Sequence, residues 1–145
     1  MNRLLRIGAT AFAVPALVLV IAQAPAPAAT PPQPSVVVKL SARAHLSADR
    51  KTAEVKVAIT CKNAAPAPIS ATVSQNRSAL TVRGHGSSSA NYKCNGKTQF
   101  GVVPVKASGG QRFQPGGAFA TANVTLMGSN STPVSDHDAR NIALK

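Results

Sequence analysis

The chain reads as an all-β protein: an antiparallel, immunoglobulin-like β-sandwich of seven to eight strands with one disulfide, preceded by a signal peptide. Three observations predict it. Apolar residues recur at every second position in several separate stretches, Gly, Pro and Ser clusters interrupt those stretches at short intervals, and nothing after residue 28 carries a helical period.

Residues 1–28 have the form of a signal peptide. Arg3 and Arg6 give a positive start, and the apolar run from Ile7 to Ile21 suits a signal core but is short for a bilayer span. Ala26-Pro27-Ala28 supplies a small-x-small cleavage pattern, whereas cuts after Ala24 or Ala26 would each leave a proline next. Cleavage after Ala28 leaves 117 residues, enough for one domain with one modest core. The product is expected outside the cell, and with no cysteine near the cut a lipid anchor is not expected.

Residues 29–35 are a Pro/Ala-rich tail with no apolar period, so the β-sandwich domain is expected over 36–145. From Val36 to Leu46 the even positions (Val36, Val38, Leu40, Ala42, Ala44, Leu46) form the apolar face of a first strand, with Lys39, Ser41, Arg43 and His45 opposite. Ser47 to Thr52 is a turn. Ala53, Val55, Val57, Ile59 and Cys61 then alternate with Glu54, Lys56, Ala58, Thr60 and Lys62, giving a second strand paired to the first as a hairpin.

Ala64 to Pro68 is a proline-broken loop, followed by a short strand on Ile69, Ala71 and Val73 and another at Leu80 and Val82, ended by Gly84, His85 and Gly86. Ala90, Tyr92 and Cys94 share a face against Ser89, Asn91 and Lys93. Asn95-Gly96 is a turn, and Gln99 to Ala107 is a strand of open register in which Pro104 indicates an edge or a bulge. Gly109 to Gly117 is a loop holding Phe113. Ala118 to Leu126 alternates strongly, and Arg140 to Lys145 makes a last strand with Ile142 and Leu144 inward.

Cys61 and Cys94 lie on apolar faces with no C-x-x-C and no clustered histidine, so they are expected to form a disulfide within the core rather than a metal pair. The framework departs from antibody-type domains, since no tryptophan is available to pack on the bridge and the cysteine spacing is short.

Charge and composition narrow the function. The chain has 16 basic and 4 acidic residues; loss of Arg3 and Arg6 leaves 14 against 4, net +10. Lys39, Arg43, Lys56 and Lys62 fall on the outward side of the first hairpin, a candidate anion-binding face for cell-wall polymer or polysaccharide. Nucleic acid is disfavoured, because one tyrosine and few phenylalanines supply no base-stacking platform.

Catalysis has little material. The four carboxylates are Asp49 in a turn, Glu54 among basic residues, and Asp136 and Asp138 flanking His137. That last triplet is a candidate metal site, but neighbours on an extended segment point opposite ways and no further spaced ligand follows, so a solvated loop is the simpler reading. No G-x-S-x-G occurs, and Ser87 to Ser89 beside His85 reads as a flexible loop. No cofactor is expected.

The segments Ala53 to Cys61, Val73 to Gln75, Tyr92 to Gly96, Val103 to Ala107 and Phe113 to Ala122 resemble blocks found in the same order in an uncharacterised family of small secreted actinobacterial proteins. The resemblance covers Val36 to Lys145 and implies a signal peptide, one disulfide and a β-sandwich, with no activity. This chain departs from the group in placing Phe100 a little early, where an aromatic residue directly before the V-x-V strand is expected.

These readings converge on a secreted, non-enzymatic β-sandwich that binds an anionic envelope or extracellular polymer. The alternatives are a secreted inhibitor or small-molecule carrier that uses the loops at 64–68 or 109–117, and a hydrolase centred on His85 or His137.

Overall fold

Alternating apolar and polar residues become eight strands in the computed structural model, which describes Ala26 and residues 28–145. Apart from Ala26 and Ala28, the expected signal peptide lies outside the described residues. The strands are β1 (Ser35–Leu46), β2 (Thr52–Lys62), β3 (Ala64–Ala65), β4 (Ser70–Arg77), β5 (Leu80–Ser87), β6 (Asn95–Ala107), β7 (Gly116–Gly128) and β8 (Pro133–Leu144). A single 3-10 turn at Ser108–Gly110 is the only helical element among the described residues.

Hydrogen-bonded neighbours run β7-β4-β5-β6-β2-β1-β8, and β8 pairs back onto β7 from Met127↔Pro133 to Gly116↔Leu144. Seven strands therefore form a closed β-barrel, with β3 adding a short rung at the end of β7. This corrects the expected immunoglobulin-like sandwich. A sandwich leaves two sheets with free edges, whereas here β7 bonds to β4 on one side and β8 on the other, and β8 passes on to β1. Strand alternation is the same in both architectures, so periodicity could not separate them.

Small inward residues permit the tight closure. Ala53, Ala71, Ala118, Ala120 and Ala122 are all buried, and opposite them Val38, Leu40, Val55, Val57, Ile59, Val103 and Val105 fill the lumen. Each strand thus presents one side chain inward for every one outward, and a seven-stranded ring is narrow enough for those side chains to fill.

Strand β5 runs on through Gly84, His85 and Gly86 instead of ending there. Its register with β6 is confined to Gly84↔Ala107 and His85↔Lys106, and the two backbones touch: a Cβ on Gly84 would lie 2.5 Å from the Lys106 carbonyl oxygen, and one on Gly86 2.0 Å from that of Pro104. These glycines serve close approach, not a turn. Pro104, which pairs with Glu54 of β2, has no N–H to offer a further neighbour and sits beyond the β5 ladder, in keeping with the edge position its chemistry predicts.

The loop between β6 and β7 closes one end of the barrel. Phe113 is fully buried beneath Gly84, and its N–H donates to the Arg50 carbonyl at 2.9 Å. Gln75, the one buried polar side chain among the described residues, binds that loop like a backbone rung: Nε2 donates to the Gln114 carbonyl at 2.8 Å and Oε1 accepts from the Gln114 N–H at 2.9 Å. At the hairpin between β1 and β2, the Ser47 hydroxyl donates to Asp49 at 2.6 Å, and this bond, with the Lys51 N–H, holds the Asp49 carboxyl below the usual range.

Where β5 and β6 diverge, residues 88–94 fill the gap as an extended segment rather than a strand. Its face assignment holds, with Tyr92 buried and Ser89, Asn91 and Lys93 exposed. Cys94 bonds to Cys61 of β2, with Cα atoms 4.4 Å apart. The Tyr92 hydroxyl accepts from the Ala67 N–H at 3.0 Å and donates to the Ala67 carbonyl.

Two outcomes follow from this arrangement. Replacing both Cys61 and Cys94 by Ala lowers unfolding free energy by about 3.7 kcal/mol, the loop-closure entropy of a 33-residue separation, as read by chemical denaturation. Burial raises the Tyr92 hydroxyl above its ordinary value of 10.0, against a smaller lowering by the Ala67 hydrogen bond. The folded form therefore resists deprotonation more than the unfolded form does; this contribution is full below pH 10 and is lost as pH rises beyond it. Denaturation midpoints measured across that range should fall for the native protein and fall less for Tyr92→Phe.

Candidate anion-binding face

Strands β1, β2 and β6 lie side by side, and their register sets out the outward residues in rows. Ser35, Lys62 and Asn95 form one row; Val37, Thr60 and Thr98 the next; then Lys39, Ala58 and Phe100. Lys56 stands beside Val102, and His45, Glu54 and Pro104 complete the face. Lys39 and Phe100 are separated by two strand spacings, roughly 10 Å.

Lys39, Lys56 and Lys62 are exposed and share this face, as their alternation predicts. Arg43 is exposed as well, but it falls outside the β1–β2 register. Between Leu40↔Val57 and Ala44↔Val55 strand β1 carries a bulge, which leaves Ala42 exposed and sets Arg43 in the parallel pairing with Ala143 of β8. Bulges re-aim side chains without changing the face of the residues beyond them, which is why Ala44 and Leu46 remain inward.

Beside the lysines, mainly on β6, lies an apolar group that charge counting did not reveal. Phe100 is 81 % exposed, and Val102 and Val37 are each 47 % exposed. The signal for it was present, since Gln99 to Ala107 is apolar on both faces; with Val103 and Val105 inward, the other set has to face solvent.

Asp136 and Asp138 have a different place from the metal site considered for them. Asp136 Oδ2 accepts from the Val38 N–H at 2.7 Å, Asp138 Oδ2 accepts from the Leu40 N–H at 2.7 Å, and Arg140 Nη1 donates to the Leu40 carbonyl at 2.8 Å. Direct backbone register between β1 and β8 spans only Arg43↔Ala143 and Ala44↔Leu144. Over the rest of the seam the side chains of β8 bond to the main chain of β1. His137 points the other way, exposed and opposite Asn123 of β7. No group of three or more His, Cys, Asp or Glu suited to a metal ion occurs among the described residues.

His85 sits in a row with Lys106, Thr72, Thr121 and Ala139, so no carboxylate shares its row. The Thr72 and Thr121 hydroxyls bond to each other at 2.7 Å. Beside the apolar group, Ile59, Ile69, Ser88, Ser89, Asn91, Tyr92, Phe100, Gly101 and Val102 line a cleft of about 220 Å³, and a Cβ on Gly101 would meet no atom within 4 Å.

No protein-family model, curated protein or solved structure matches the chain. No helix among the described residues is long and apolar enough to cross a membrane.

The seam yields a prediction. Asp138→Ala leaves the half-buried Leu40 N–H without an acceptor and costs about 1–3 kcal/mol, while Asp138→Asn, which keeps an acceptor oxygen, costs less. Thermal melting with and without added zinc or calcium checks it: the Asp138→Ala loss should appear in both, with no shift from the metal.

Proposed function

We propose that this protein is a secreted, non-enzymatic binding module that holds an anionic envelope or extracellular polymer on its β1–β2–β6 face. The observation that carries the reading is the allocation of charge. Lys39, Lys56 and Lys62 stand free on one rigid face, while Asp136 and Asp138 are engaged along the β1–β8 seam and only Glu54 adds negative charge to the face itself. A closed barrel holds such a set of cations at fixed spacing, so little side-chain-bearing backbone has to be ordered on binding. The disulfide supports the extracellular setting, since such bonds persist in oxidising compartments. The signal peptide read at residues 1–28 supports it further.

A carrier is the second reading, favoured by the cleft beside Gly101. At about 220 Å³ it falls below the 300–1,000 Å³ usual for ligand pockets and would admit only a compact group.

Retention of purified protein on immobilised polyphosphate tests the proposal. Binding should weaken steeply as salt is raised from 50 to 500 mM, and Lys39→Gln with Lys56→Gln should shift elution to lower salt. Retention that ignores both salt and the double substitution would show that this face is not the binding surface.

A further inference from the structure

The cations of the β1–β2–β6 face adjoin something a soluble polyanion has no use for. Phe100 stands 81 % exposed on β6, with Val102 beside it on the same strand and Val37 across the face on β1, both nearly half exposed and in adjacent rows. An isolated exposed apolar residue is ordinary, but here Phe100 and Val102 lie together with Ala58 of β2 next to Phe100, and Lys39, Lys56 and Lys62 stand alongside on β1 and β2. An apolar strip flanked by ammonium groups is complementary to a partner that offers negative charge at its surface and hydrocarbon just beneath. Anionic lipid headgroups over acyl chains have that layering.

We propose that this face docks on an anionic lipid bilayer, Phe100 and Val102 entering the headgroup boundary while Lys39, Lys56 and Lys62 lie among the headgroup phosphates. The lysine stems can lie along the apolar surface with their ammonium groups turned towards the phosphates, so the two sets of contacts do not compete. A second copy of the chain fits the face poorly, because two such faces would bring like charges together. The patch is small, so attachment is shallow, reversible and dependent on the cations.

The inference rests on the reading of this face as an anion-binding surface, and the experiment separates the two. Purified protein is sedimented with vesicles of phosphatidylcholine containing 30 mol % phosphatidylglycerol, with vesicles of phosphatidylcholine alone, and with polyphosphate resin. Binding is expected to the phosphatidylglycerol vesicles and not to phosphatidylcholine alone. Phe100→Ser, an exposed substitution whose melting temperature is checked in parallel, should weaken vesicle binding about tenfold and leave resin binding unchanged. Lys39→Gln and Lys56→Gln should each weaken vesicle binding about fivefold. Since the chain has no tryptophan, the F100W variant carries a single reporter whose emission should shift to the blue on addition of phosphatidylglycerol vesicles. Resin binding without vesicle binding would overturn bilayer docking and leave the polymer reading standing. Vesicle binding that is unchanged by Phe100→Ser, with no shift in F100W emission, would equally overturn it, and failure to bind either material would remove both readings.

Discussion

Closure of the ring depends on two carboxylates meeting two backbone N–H groups. Six of the seven joins in the barrel are antiparallel ladders, and the seventh, between β1 and β8, is parallel, with backbone bonding confined to its end, from Arg43↔Ala143 to the bonds of Lys145 with Ala44 and Leu46. Elsewhere along it Asp136 and Asp138 accept from Val38 and Leu40, and Arg140 donates to Leu40. Hydrogen bonds to an ionised acceptor are shorter and stronger than those between neutral groups, which lets side chains stand in for missing rungs. Without them β1 would present unpaired donors along its outer edge, and the valines and leucine behind that edge would be open to water. The buried set Val36, Val38 and Leu40 is kept dry by bonds made at the strand's rim.

The same device recurs where the ladder fails elsewhere. Gln75 reaches the loop main chain with both ends of its amide, the Tyr92 hydroxyl both accepts from and donates to Ala67, and Ser47 and Asp49 bind the hairpin that joins β1 to β2. Among the described residues no buried side-chain nitrogen or oxygen lacks a partner. Where strands diverge, polar side chains finish the backbone's hydrogen bonding, and the interior is left to Ala, Val, Leu and Ile with Phe113 as a plug. The disulfide adds a covalent tie, joining β2 to the segment that enters β6.

Most strands were legible because their inward residues are apolar. β2 and β7 begin and end within two residues of where alternation places them, and the faces of Cys61, Tyr92 and Cys94 follow from parity alone. The first half of β8 was not legible, because its half-buried positions are Val134, Asp136 and Asp138: two of three inward-leaning residues are charged, and an apolar count sees a loop. Gly84 and Gly86 were read as the end of a strand because glycine favours turns, yet their role is backbone contact with β6, which local sequence does not encode. Barrel closure was hidden for a third reason. It depends on which strands meet at long range, and period-two alternation carries no information about partners. Of the candidate face, the lysines on β1 and β2 could be placed from sequence; the apolar group beside them required the register of β6.

Seam and face are linked through strand β1. Alternate residues of this strand send their main-chain groups to β8 and their side chains inward, while the residues between them, Val37 and Lys39, send their side chains out to the face. The carboxylates that close the barrel thus fix the strand that carries Lys39. Loss of the seam would therefore do more than weaken the fold. It would loosen the strand that presents Val37 and Lys39 to the face. Asp136 and Asp138 thus contribute to stability and, by the same hydrogen bonds, to the placement of the surface the protein offers to a partner.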